Sequence, residues 1–139
     1  MKKILLTLLS LLIILNLSAC NKAEESKIER NIGKSEKFST EEIDKAMVLV
    51  EQNFAFKDAE LTKIYYDEEK SNEEVDVYKT YGRGSMNDIT PDNIIVINTD
   101  FTVSSDINEG LSEGEYKAFN WILIREDKNS DWKVEEKGY

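Results

Sequence analysis

Histidine is absent from this chain of 139 residues, cysteine and proline occur once each, and basic residues are outnumbered by acidic ones, 18 to 28. Each shortage excludes something. Without histidine the chain lacks the commonest general base and the commonest neutral metal ligand. A lone cysteine leaves no disulfide to form within the chain. A net charge of −10 argues against nucleic acid and anionic lipid surfaces as partners, because both reward clusters of Lys and Arg. It suits cations or basic partners, and it also suits plain solubility through self-repulsion.

Long apolar runs are scarce too. The one that exists, Ile4 to Leu17, is broken only by Thr7, Ser10 and Asn16. Its fourteen residues would span roughly 21 Å as a helix, short of the roughly 30 Å hydrocarbon core. Lys2 and Lys3 precede it, and Leu17-Ser18-Ala19-Cys20 closes it. A basic start, a short apolar stretch and small residues before a cut site describe an export signal rather than a permanent span. The sole cysteine at that point marks the signal as a lipoprotein signal. Cleavage is expected between Ala19 and Cys20, with Cys20 lipidated. Two or three acyl chains would then hold the protein on the extracytoplasmic face of the cell membrane, where one gives only marginal binding. Loss of residues 1–19 removes Lys2 and Lys3, leaving 16 basic against 28 acidic residues, a net −12.

Residues 20–37 read as the lipidated cysteine and a polar tether without a core of its own, spanning about 20–25 Å as a coil. Residues 38–139 are enough for one small domain with a single core. The domain opens on a helix start. Ser39 is the N-cap candidate, Glu42 completes a capping box, and Phe38 with Ile43 forms a hydrophobic staple. Ile43, Ala46, Met47, Val50 and Phe54 make one apolar stripe.

Beyond it the period changes. Ala59 to Tyr66 reads as a strand with Thr62, Ile64 and Tyr66 on one face. Asp67 to Glu74 reads as an acidic loop. Val75, Tyr78 and Tyr81 fit a short helix, and Val75 to Tyr78 fits a strand equally well. Gly82-Arg83-Gly84-Ser85 is a turn. In Asn93 to Ser104, Ile95, Ile97, Thr99, Phe101 and Val103 share a face opposite Asn98, Asp100 and Thr102. A loop through Asn108-Glu109-Gly110 leads to Tyr116–Glu126. Alternation there sets Phe119, Trp121 and Leu123 on one face and Tyr116, Ala118, Asn120, Ile122 and Ile124 on the other. A turn at 127–131 then gives the last strand, Trp132 to Tyr139. The fold expected is α+β, one N-terminal amphipathic helix on a curved antiparallel sheet of about four strands.

Phe119-Asn120-Trp121-Ile122-Leu123-Ile124-Arg125, followed by Trp132-Lys133-Val134 and Gly138-Tyr139, resembles the C-terminal signature of the domain-of-unknown-function family 4829. The opening helix, Leu61 to Tyr66 running into Asp67-Glu68-Glu69, and Val96 to Phe101 also look like family positions, so that the resemblance covers residues 38–139. One departure stands out: where members often carry a second tryptophan before the final Gly-Tyr, Glu136-Lys137 stands here. The resemblance implies a small lipoprotein-borne domain of Gram-positive bacteria with a cystatin-like or NTF2-like frame. It implies no activity.

The remaining constellations are weak. Asp127, Asn129 and Asp131 match the first half of a calcium loop, but Trp132 stands where Gly is required and Gly138 where a bidentate Glu is needed; a tight turn uses the same residues. The carboxylates at 67–69 and 73–76 lie in polar stretches. Gly82-Arg83-Gly84-Ser85 lacks the lysine of a phosphate loop. No metal or other cofactor is expected. The aromatic residues of the sheet serve first as core, and a wrapped sheet leaves room for a pocket drawing on Tyr66, Tyr116, Asn120, Trp121 and Arg125. Arg125 has a plainer role as a cross-strand partner of an acid such as Asp100. The expected function is non-catalytic binding of a small molecule, peptide or protein. The alternatives are a carboxylate-dependent hydrolase or isomerase and a structural or immunity-type envelope protein.

Overall fold

A computed structural model describes residues 28–105 and 110–139. Ala19 and Cys20, the expected cleavage and lipidation site, lie outside them, as do Asn108 and Glu109. In chain order the elements are β1 (Glu29–Ile32), α1 (Thr40–Asn53), β2 (Ala59–Tyr66), α2 (Glu68–Tyr81), β3 (Ile94–Val103), β4 (Gly114–Ile124) and β5 (Lys133–Gly138). Short 3₁₀ turns at Arg83–Met86 and Pro91–Asn93 lead into β3. The strands form one open sheet in the order β1-β2-β3-β4-β5. The fold is α+β, as expected.

α1 begins where its capping residues predict. Ser39 Oγ accepts from the Glu42 backbone N–H at 3.2 Å, and Glu42 Oε2 accepts from the Ser39 N–H at 2.9 Å. Two of the helix's orphan donors are thus satisfied reciprocally. Its stripe, Ile43, Ala46, Met47 and Val50, is buried against Ile95, Ile97, Phe101, Trp121 and Leu123 on one face of the sheet.

The helix count differs from expectation. The acidic run after Asp67 is the opening of α2, not a loop. Asp67 caps it by accepting from the Lys70 N–H, and Glu68 and Glu69 occupy the first turn, where the helix dipole favours negative charge. Only Ser71, Val75 and Tyr78 are buried, one every three or four residues, so the run reads as polar although it is helical. These residues cover the second face of the sheet over Ile94, Val96 and Ile122. Tyr81, expected to share this face, is exposed.

The strand count and the sheet's directions differ as well. β1 falls inside the stretch expected to be tether and pairs with β2 in parallel, from Glu29↔Lys63 to Ile32↔Tyr66; the sheet is therefore mixed. The other pairings are antiparallel. Arg30 fixes β1 to α1 by donating to Asp44 and Glu51. A bulge between Leu61 and Lys63 shifts the phase of β2, so Leu61 is buried in place of Thr62. A second irregularity lies where β4 passes Thr99 and Phe101. There Ala118 has φ of 54°, and its N–H is satisfied by Asp100 Oδ1 at 2.8 Å. Tyr116 is thereby carried to the Phe119 face and stacks on Phe101 at 4.9 Å.

Candidate functional site

The five residues singled out from the sequence do not share a cavity. Trp121 is fully buried under α1, and its indole N–H donates to Thr99 Oγ1 at 3.0 Å; it is core. Asn120, the next residue, lies on the opposite face of the sheet and bonds to Asn98. Tyr116 stacks between Phe101 and Tyr139 at the far end of the aromatic cluster. Tyr66 is buried beside Glu68. Burial, reinforced by the charge of Glu68, pushes its phenol up to about 12 against hydrogen bonds with Ser35 and Ser71. Glu68 itself binds the Ser35 hydroxyl and the backbone N–H groups of Glu36 and Lys37. Those bonds, Ser35's first, hold its carboxyl below the ordinary range.

Arg125 follows β4 at the open end, 5 % exposed. Its partner is Glu42 of α1 at 2.8 Å, not Asp100. Arg125 Nε donates to Asn93 Oδ1 at 3.2 Å, and the guanidinium lies 4.3 Å from the centroid of the Trp132 ring. Trp132 Nε1 in turn donates to the Glu42 carbonyl at 3.1 Å. Burial opposes ionisation of Glu42, but bonds from Ser39 and Arg125 outweigh it and bring the carboxyl down to about 2. One glutamate thus caps α1, pairs Arg125 and anchors Trp132. Sequence reading finds the first role from the capping pattern; the other two join residues 83 and 90 positions apart and leave no local signal.

Beside this clamp an open groove of about 670 Å³ runs between α1 and the turn after β4, lined by Lys45, Val48 and Gln52 on one side and Asn129, Asp131 and Trp132 on the other. Asp127 Oδ1 accepts from the Asn129 N–H at 2.8 Å, so that carboxylate is occupied by the turn. Among the described residues no three His, Cys, Asp or Glu side chains are placed to hold a metal ion.

A second concavity, about 100 Å³, opens on the opposite face between α2 and the β4–β5 pair. Glu74, Val77 and Tyr78 form its helix side, Asn120 and Ile122 its floor, and Glu136 its outer rim. Tyr78 is held by Gly84: a Cβ at that glycine would stand 2.5 Å from the Tyr78 ring. The glycine-rich turn is therefore a seat for this ring. Beneath the floor, Asn98 Nδ2 donates to Asn120 Oδ1 at 2.6 Å. Asn98 Oδ1 is buried with no partner among the described residues. Neither asparagine of this pair was recognisable as a pair in the sequence, since each sits on a different strand.

No curated protein and no solved structure matches the chain. A family model does, and its match reaches ahead of residue 38 to take in β1. That model is described as a domain of unknown function (DUF4829), it matches residues 17–138, and the chain belongs to this family.

Proposed function

We propose that this protein is a lipid-anchored, extracytoplasmic binding protein of a Gram-positive cell, non-catalytic, carried on the membrane through Cys20. The proposal includes an NTF2-like frame, a bent sheet wrapped on a long helix, for α1 and β2–β5. The observation that carries the binding reading is how the aromatic side chains are used. Phe101, Phe119, Trp121 and Trp132 are all buried, with both indole N–H groups spent on internal acceptors. The α1 face of the sheet is filled, and what the domain offers a ligand is concavities of its surface, the groove beside α1 and the cleft beside α2 among them. Such open, shallow sites suit recognition of part of a larger molecule better than enclosure of a small one.

The anchor follows from the Leu17-Ser18-Ala19-Cys20 ending of the apolar run. Among the described residues no helix is long and apolar enough to cross a membrane. Metabolic labelling with a fatty-acid analogue tests the anchor. Label is expected on the wild-type chain and not on Cys20→Ala, and label on the variant would refute it. Photocrosslinking in cells, from Val77 in the small cleft and Val48 in the large groove, tests the binding reading. It predicts a specific adduct from one position; adducts from neither would end it.

A further inference from the structure

The small cleft carries acidic side chains on both of its walls. Glu74 and Glu136 flank it, and Glu73, Asp76 and Glu135 are their neighbours in the chain. Lys137 contributes to its lining, yet its ammonium lies on the other face of the sheet, 4.1 Å from the Phe56 ring centroid and 5.3 Å from that of Trp121. The carboxylates on its walls thus face no lysine from within the cleft. Burial raises the Tyr78 hydroxyl's pKa against its bond with Asn87; the charges of Glu135 and Glu136 raise it and that of Arg83 lowers it.

Two more features point to an occupant. Val77, 54 % exposed, lines the cleft together with the buried Ile122, so that apolar surface is open to solvent at Val77. Asn120, only 7 % exposed, lines the floor, and its Nδ2 makes no hydrogen bond among the described residues while its Oδ1 is taken by Asn98. That donor is open to solvent through the cleft, where an acceptor on a bound molecule can take the place of water. The larger groove by α1 has no such group: Arg125, its strongest cation, is already bound to Glu42, Asn93 and the Trp132 face.

We propose that the cleft between α2 and the β4–β5 pair receives a lysine or arginine side chain presented by a basic partner protein. The aliphatic stem lies along Val77 and Ile122, as long cationic side chains lie on apolar surface. The charged head sits between Glu74 and Glu136, and a main-chain carbonyl of the partner accepts from Asn120. The volume suits one side chain and falls below the roughly 300 Å³ of small-molecule pockets. The net −10 of the chain adds long-range attraction for such a partner. This assignment rests on the binding reading above and names its site and chemistry.

The test uses the full chain in detergent micelles and a fluorescein-labelled tetra-arginine peptide, with tetra-citrulline as its neutral counterpart, read by anisotropy. Saturable binding of the arginine peptide alone is expected. Glu74→Lys with Glu136→Lys should weaken it at least tenfold. Glu60→Lys with Glu115→Lys, an equal change of net charge on exposed residues elsewhere, should weaken it less than twofold. Asn120→Leu should also weaken it at least threefold, with the fold checked by circular dichroism. Equal loss in both lysine pairs, or equal binding of the two peptides, would overturn the proposal. Crosslinking separates its failure from failure of the broader reading. An adduct from Val48 alone, with no peptide binding, rejects this site and leaves a binding protein; no adduct from either position rejects both.

Discussion

The hydroxyl of Ser71 accepts the backbone N–H of Val96 at 3.0 Å, a bond from the first turns of α2 to the opening residues of a buried strand. β2 pairs with β3 only as far as Tyr65↔Asn98, so Val96 lies beyond the end of its neighbour on that side. A side chain from the helix stands in for the missing strand. Ser71→Ala leaves this buried N–H without a partner, at a cost of about 1–3 kcal/mol. Urea unfolding should show the loss, and hydrogen exchange at Val96 should quicken more than at Ile122.

Arg125 and Glu42 make stability depend on pH with a definite sign. The Glu42 carboxyl titrates lower in the folded protein, about 2, than its ordinary 4.5, so the folded state binds fewer protons in that window. The pair's contribution is complete above about 4.5 and disappears as pH falls through about 2; Glu68, also lowered, adds in the same direction. Melting temperature should therefore drop on acidification from pH 5 to pH 2. Glu42→Gln should be less stable at pH 7 and show a flatter slope, and an unchanged slope would count against the pair.

Charge alone does not describe Arg125. Its fork reaches Glu42 and Asn93 while its flat face covers Trp132, a combination that an ammonium does not reproduce. Arg125→Lys should lose about 2 kcal/mol at neutral pH, read by chemical denaturation.

Gly84 is fixed by a neighbour rather than by its own backbone angles. With the Tyr78 ring 2.5 Å from the place of a Cβ, Gly84→Ala must displace that ring, at about 1–3 kcal/mol. Adding Tyr78→Leu should return part of the loss, a non-additivity expected of residues in contact. Full additivity in the double variant would show that the contact is not the cause.

A fragment beginning at Phe38 should be markedly less stable than one beginning at Ile28. The shorter fragment lacks β1, the Arg30 bonds to Asp44 and Glu51, and the Ser35–Lys37 segment that Glu68 holds. Thermal melts of the two fragments decide the matter; equal midpoints would mean that residues 28–37 add nothing.

Legibility in the sequence followed local signal. α1 was readable because Ser39, Glu42 and the Ile43–Val50 stripe are all written within fifteen residues, and the core face of β3 because its alternation runs unbroken from Ile95 to Val103. β1 was not: four polar-leaning residues become a strand only because the edge of β2 is available. α2 was hidden because one of its three buried positions is a serine whose value depends on Val96. The bulges at Thr62 and Ala118 each shifted an alternation that was correct up to that point, which is why Thr62 and Tyr116 changed faces. At the candidate site, Asn120 and Arg125 could be picked out singly. Their partners Asn98 and Glu42 come from other elements, and only the fold joins them.

β1 and β5 are the two rims of the sheet, four inter-strand steps or about 19 Å apart. With the anchor proposed at Cys20, the chain arrives from the bilayer at the β1 rim, and residues 21–27 that lead to it can reach at most about 25 Å. The rim bearing Glu136 is the far one. The reach of those residues and the width of the sheet would then together set how far from the lipid the acidic cleft can stand.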